Sequence, residues 1–340
     1  MIKPILYKIT STILLLALAI VGTEFFIYSS DEVKGEDENF QDKFNEDYRI
    51  YSLTIPTDLT FCGEPVPLHD QDVYERLDRE LLVNTYWQSN SLLYHKRANK
   101  WFPVIEPILK EKGIPDDFKY LALVESGLMN VVSPAGASGF WQMLEKTAQG
   151  YGLEVNSEVD ERYNVVKATE AACHYLQDAY DIYGNWTLAA ASYNMGMTGV
   201  QKQLDRQDVN QYYDLLLNDE TSRYVFRILA AKELHEHPTK YGFHYRLKDL
   251  YSPHNTYSVK LDTAVKDLAE FAVKNKVNYK ILKIFNPWLR QSYLTNKSRK
   301  QYEIRLPKAG YHDFSSTELP NSLDSSSSTV DTLQLEENHE

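Results

Sequence analysis

The stretch PDDFKYLALVESGLMN, residues 115–130, decides how this chain is read. Phe118, Leu121, Ala122, Glu125 and Met129 recur at i, i+3, i+4, i+7 and i+11, the spacing of one core-facing helical stripe. Pro115, Asp116 and Asp117 suit a helix start, because Pro fits the first turn and acids there meet the positive end of the dipole. Gly127 suits a stop. One carboxylate, Glu125, therefore falls on the inward stripe of an otherwise apolar helix. A carboxylic acid in such a setting resists ionisation and its pKa rises toward neutrality, which suits a general acid. The same spacing also fits a buried Glu that is merely satisfied by a helix terminus or a Tyr hydroxyl.

Glycosidases that protonate a leaving oxygen need a second carboxylate as base or nucleophile in most cases. Glu145, Asp160 and Glu161 are the candidates nearby in sequence, but none sits in a comparably apolar run, and NSEVDERYN (156–164) reads as a solvated turn. Chemistry in which the substrate supplies its own nucleophile is the alternative. Downstream, SPAGASGFWQM (133–143) carries glycines that let backbone approach a ligand, then Gln142 between Trp141 and Met143. ASYNMG (191–196) places Tyr193 and Asn194 at the end of a nearly all-apolar helix, NWTLAAASYN (185–194). Trp141, at helical spacing, is expected in the core rather than on a sugar.

ALVESGL, SPAGASGFWQM and AAASYNMG, in this order, resemble the signature motifs of the lysozyme-like soluble lytic transglycosylase domain, and the layout is similar to the membrane-bound murein transglycosylase D group. The upstream FCGEPVPL fits the same group. The resemblance implies a mainly α fold, a lysozyme-like helical catalytic domain, with Glu125 as sole catalytic acid and base. It implies cleavage of the β-1,4 bond between N-acetylmuramic acid and N-acetylglucosamine, with the muramic C6 hydroxyl closing a 1,6-anhydro ring. Ser133 and Gln142 match glycan-contacting positions, Tyr193 matches the Tyr that orients the acid, and Asn194 stands beside it. Ser126 completes the motif as a further substrate-contact candidate, although its hydroxyl also suits the helix end, the reading we prefer. Leu144 replaces a Met common in relatives. No metal or organic cofactor is implied, and His235 and His237, two apart on a helix, face different ways. A lysozyme-type hydrolase and a catalytically silent glycan-binding scaffold are the competing readings.

The rest of the chain fits an exported protein. A formal net charge of −12 argues against nucleic acid and anionic lipid as partners; the resemblance implies peptidoglycan glycan strands as the partner, and a monomer is the expected state. Lys3 and Lys8 precede ITSTILLLALAIVG, so residues 1–30 read as a signal peptide or a retained membrane anchor, and the chain as a cell-envelope, periplasmic protein. Residues 31–53 read as an acidic linker, with eight acids against three bases between Asp31 and Arg49. Residues 54–112 read as an extended and helical segment packing on the catalytic domain at 113–240. Helices are expected over 73–88 and near 101–112, where Pro103 and Pro107 obscure the start. VVKATEAACHYLQDAYDIYG should bury Val165, Ala168, Ala172, Tyr175, Leu176, Ala179 and Ile182, and TSRYVFRILAAKELHEHP should be helical up to Pro238. Residues 250–310 weakly resemble a LysM module in βααβ order, degenerate because Leu261 stands where Gly is usual. Residues 315–340 are Ser-, Thr- and acid-rich, as disordered tails are. Cys173 reads as a buried free thiol, although a disulfide with Cys62 is compatible with export.

Overall fold

A computed structural model describes residues 50–308, with 39, 42 and 43 ahead of them. The leader at 1–30, most of the linker at 31–53 and the tail at 315–340 lie outside the described residues. The chain divides into two units, one ending at Ser52 and one beginning at Leu53. Every strand among the described residues, and every helix from Gln71 onward, belongs to the second unit.

Its first element is a small antiparallel hairpin, β1 (Thr60–Phe61) and β2 (Glu64–Pro65), rather than a purely extended run. It is anchored from within: Ile55, Leu59, Phe61 and Val66 are all buried in the main core. Helix α1 (Gln71–Tyr86) follows, capped by the Asp70 carboxylate, which accepts from the amides of Asp72 and Val73. Val73, Leu77 and Leu81 are buried, as their spacing requires. Helix α2 (Gln88–Glu111) is twice as long as expected because both prolines lie inside it. Pro103 and Pro107 are four residues apart on the exposed face, so the carbonyls they leave unpaired meet water, while Ala98, Phe102, Ile105 and Leu109 bury the other face.

Helix α3 (Phe118–Ser126) is the centre of the bundle and is buried nearly all round. It starts after the Pro–Asp–Asp turn and stops at Gly127, whose φ of 60° is left-handed. Asp117 does more than complement a dipole. Its carboxylate accepts from the Cys62 amide at 2.7 Å and from Lys232 Nζ at 2.7 Å, tying the hairpin and a later helix to the start of α3.

After a glycine-rich loop come α4 (Glu145–Gly150), a 3-10 turn at Glu161–Tyr163, and α5 (Val165–Tyr183). Helix α5 buries Val165, Ala168, Ala172, Leu176 and Ala179 of the expected face, but Tyr175 is only half-buried and Ile182 is exposed in the last turn before Gly184. Helix α6 (Trp186–Met195) is buried from Thr187 to Ser192, its alanines allowing close approach of α5 and α7 (Met197–Gln207). The Glu64 carboxylate from β2 sits on its N-terminus, accepting from the amides of Trp186 at 2.6 Å and Thr187 at 2.9 Å. Helix α8 (Asp219–Glu236) closes the bundle against α1, α3 and α6.

The C-terminal part has the expected βααβ order: β3 (Thr256–Leu261), α9 (Leu268–Lys274), α10 (Tyr279–Phe285) and β4 (Tyr302–Pro307). The strands pair antiparallel, Thr256 opposite Pro307 and Leu261 opposite Tyr302. Tyr302, Ile304 and Leu306 point into a second core with Leu268, Leu282 and Trp288, and Leu261 is buried there too. Val159 and Tyr163 of the main bundle belong to the same core. Both cysteines are free thiols, Cys173 buried. No helix among the described residues is long and apolar enough to cross a membrane.

Candidate active site

Helix α3 delivers Glu125 in its last turn. Phe118, Leu121 and Ala122 of its stripe are fully buried, but the stripe ends with the helix, and Met129, beyond the Gly127 turn, is 40% exposed. Glu125 falls between these limits. From Leu121 to Leu128 it is the one residue that is not buried. The acid is therefore not sealed into the core, as spacing alone implied; it is half-buried at the core's edge.

Its carboxylate is held from α8. The Tyr224 hydroxyl donates to Glu125 Oε1, the carboxylate's one hydrogen-bond partner among the described residues. Glu220, Tyr224 and Arg227 share one face of α8 by their i, i+4, i+7 spacing. Burial pushes the Glu125 pKa up to about 7, while the Tyr224 hydrogen bond and the Arg227 cation pull it down and the Glu220 charge adds to the rise. Burial wins. The result is an acid poised near neutrality, with Oε2 left for a ligand.

The glycine-rich loop lies against the same helix end. Ser126 Oγ donates to the Phe140 carbonyl at 2.8 Å and to Ala122 O within α3, so the preferred structural reading of that hydroxyl accounts for its bonds. Ser133 closes a turn inside the loop, its Oγ accepting from the Ala137 amide at 3.1 Å. Gln142, at a left-handed φ of 45°, spends its amide nitrogen on the carbonyls of Gly139 at 2.8 Å and Val131 at 3.0 Å. Gly139 is needed for a different contact from the one expected. A Cβ there would stand 1.9 Å from the Arg162 carbonyl oxygen, so the close approach is to the protein's own backbone.

Tyr193 and Asn194 reach the site from α6. The Tyr193 hydroxyl donates to the Trp141 carbonyl at 2.8 Å, fixing the loop, and burial holds its phenol well above the ordinary value with the Glu125 charge adding to it. The hydrogen bond to the acid itself comes from Tyr224 instead. Asn194 bridges to α8, donating to Glu220 Oε1 at 3.2 Å and accepting from Thr221 Oγ1 at 2.8 Å. Trp141 is in the core as expected, its indole N–H donating to Thr169 at 2.9 Å.

Two features escaped the sequence reading. Tyr224 lies in an amphipathic helix far along the chain, where one Tyr among apolar residues carries no signal. Asp160, Glu161 and Arg162, read as a solvated turn, are buried. Arg162 pairs with Asp160 through two hydrogen bonds, at 2.9 and 2.8 Å, and supports the loop from behind.

The described residues hold no cluster of three or more metal-binding side chains. His235 stacks on His95 at 5.3 Å and His237 lies 3.8 Å from Glu233, both structural contacts. An open groove of about 650 Å³ between the end of α5 and α7 is lined by Ile182, Tyr183, Gln201 and Arg206, and includes none of the candidate residues. The chemistry around Glu125 marks the site, not cavity size.

With that geometry in place, the chain can be set beside known families. Residues 103–215, which include Glu125, the loop and Tyr193, match the family model of the transglycosylase SLT domain. Residues 257–310 match the soluble lytic transglycosylase C-terminal LysM-like domain, in agreement with the βααβ order. The chain is 30% identical over 249 residues to the membrane-bound lytic murein transglycosylase D of Escherichia coli K12, and equally to that of strain O6:H1. The match covers 72% of this chain and 53% of those proteins, so the chain spans about half the length of the curated relatives it matches. Among solved structures, the 70 kDa soluble lytic transglycosylase of E. coli aligns at 22% identity, covering 43% of this chain and 27% of that one, with a TM-score of 0.36. An inactive variant of the Pseudomonas aeruginosa lytic transglycosylase Slt aligns at 21% identity over 41% and 24% of the two chains, with a TM-score of 0.34. Tyr224 and Glu220 of α8 lie beyond the segment matched to the SLT domain, yet they meet Glu125 and Asn194.

Proposed function

We propose that this chain is a peptidoglycan lytic transglycosylase of the cell envelope, cleaving the N-acetylmuramic acid–N-acetylglucosamine β-1,4 bond without water during wall turnover. The observation that carries the reading is one half-buried carboxylate, poised near pH 7, inside an SLT domain. Protonated Glu125 donates to the glycosidic oxygen as the C1–O bond breaks and positive charge builds at C1. The carboxylate then takes the proton from the muramic C6 hydroxyl as that oxygen bonds to C1, closing the 1,6-anhydro ring with the substrate's N-acetyl group assisting. The acid is regenerated and no water is consumed. A pKa of about 7 keeps a large fraction of Glu125 protonated at neutral pH, the form that starts the cycle, and makes its carboxylate basic enough to take the second proton. The Tyr224 hydroxyl fixes Oε1 throughout. Ser133, Gln142 and Asn194 are proposed glycan contacts through atoms not spent on the loop. The organisation into leader, linker, bundle, βααβ unit and tail is proposed with it, the leader for export or anchoring.

Mass spectrometry of products from purified sacculi tests this. Products with anhydro ends, one water lighter than reducing ends, are expected; reducing ends alone would sink the mechanism. A hydrolase reading has one observation in its favour, the Glu220 carboxylate facing the same site from α8. Glu220→Gln separates the two: a second catalytic carboxylate predicts loss of nearly all activity, whereas the lyase predicts a change within about threefold, since no catalytic proton passes through Glu220. Sacculus binding without any product would favour the silent scaffold.

A further inference from the structure

We infer that Arg162 is a positioning residue for Glu125 chemistry, and that through it the C-terminal βααβ unit sets the loop 131–143 beside the acid. The inference rests on the proposed function for its activity readout. Arg162 is buried and all its charge is directed inward. One edge of the guanidinium chelates Asp160, and Nη1 donates to the carbonyls of Gly136 at 3.0 Å, near the middle of the loop, and Met143 at 3.2 Å, at its end. Its own carbonyl fills the space a Cβ would need at Gly139. From the other side the loop is bound by Ser126, next to Glu125, and by Tyr193. The loop is thus clamped between Arg162 and the acid's own neighbours.

What holds Arg162 is the C-terminal unit. The Asp160 amide donates to the Trp288 carbonyl at 2.9 Å, and the Arg290 amide donates to the Glu158 carbonyl at 2.7 Å. Val159 pairs with Leu289, and its side chain enters the second core. Glu158 accepts from the Thr295 amide at 2.7 Å and from its hydroxyl at 2.9 Å. The segment 158–163 therefore has an apolar side built into the βααβ core and a polar side built into the cleft loop. A lysine at 162 keeps the charge but cannot present a planar fork to a carboxylate and two carbonyls at once.

The test uses the full chain with Arg162→Lys and Trp288→Ala, read by amide hydrogen exchange and by the pH profile of sacculus digestion, with Glu125→Gln as the inactive reference. In both variants the Ser138 and Gly139 amides, which bond Met143 and Val131, should exchange about tenfold faster or more while α5 and α8 stay protected. The rate should fall about 10- to 100-fold through misplacement, and the alkaline limb should move below pH 7 as water reaches Glu125. Because an unfolded fraction that grows with pH would also pull the limb down, the rate is normalised to the folded fraction at each pH, read from the protection of α5 and α8. Unchanged loop exchange and an unchanged limb in Arg162→Lys would overturn the inference. Should that variant not fold, unchanged loop exchange in Trp288→Ala does so. A wild type that gives no anhydro product removes the proposed reaction, yet leaves the exchange measurement to decide the coupling.

Discussion

Glu125 and Asp160 are both acids carried into the interior beside short helical elements, and they end with opposite partners. Asp160 meets a guanidinium through two charge-assisted hydrogen bonds and becomes part of the scaffold. Glu125 meets a phenol, which donates a hydrogen bond but brings no positive charge, and burial leaves its proton easy to keep and easy to lose. The difference teaches that inward placement alone does not mark a chemical acid. What marks it is the absence of a tightly bound cation.

The comparison can be broken first at the acid. Glu125→Gln retains an oxygen for Tyr224 but has no proton to give, and the rate of anhydro-muropeptide release should fall about 10³-fold, roughly 4 kcal/mol of barrier. A variant that digests sacculi at the wild-type rate would remove Glu125 from the reaction. At the other acid the effect should appear in stability. Asp160→Ala leaves Arg162 buried without its anion and should cost about 3 kcal/mol, measured as a shift in denaturant midpoint.

Tyr224→Phe sharpens the contrast. It removes the donor that favours the charged carboxylate, so the Glu125 pKa should climb further above 7 and the alkaline limb should move upward, with stability lower by about 1 kcal/mol. A limb that stays put would mean the phenol does not govern the acid. The last effect, confined to alkaline pH, comes from the acid's own folding contribution. Its pKa is about 7 in the fold against an ordinary 4.5, so the stability it gives is full below pH 4.5 and is lost as pH rises through 7. Glu125→Gln cannot ionise and should match the wild type at pH 4 but exceed it by up to about 3 kcal/mol at pH 8, by thermal or urea unfolding. Equal stability at both pH values would contradict the raised pKa.

These contrasts also explain how far the chain could be read in advance. The helices with an apolar stripe and a glycine stop were legible, because periodicity and left-handed caps are local: α3 ends at Gly127 and α5 at Gly184, as their sequences imply. The full length of helix α2 is not legible, because a proline is disruptive by default and only its solvent-facing placement makes two of them tolerable. The acid was legible as a polar residue in an apolar run. Its partner was not, since Tyr224 meets it only after the bundle closes. The burial of segment 156–164 is illegible for the converse reason: a run of charges means solvent unless the charges satisfy one another, and pairing between Asp160 and Arg162 is not visible as a pattern.

The Glu64 carboxylate on the first turn of α6 has a practical corollary for anyone cutting the protein into pieces. The segment that matches the SLT domain is not expected to fold by itself. Starting at 103 discards the anion that caps α6 and the Cys62 amide that Asp117 grips; stopping at 215 discards the phenol that holds the acid. A fragment for ligand screening or crystallisation should begin ahead of Ile55 and run through β4, and shorter ones are expected to be poorly soluble rather than simply inactive.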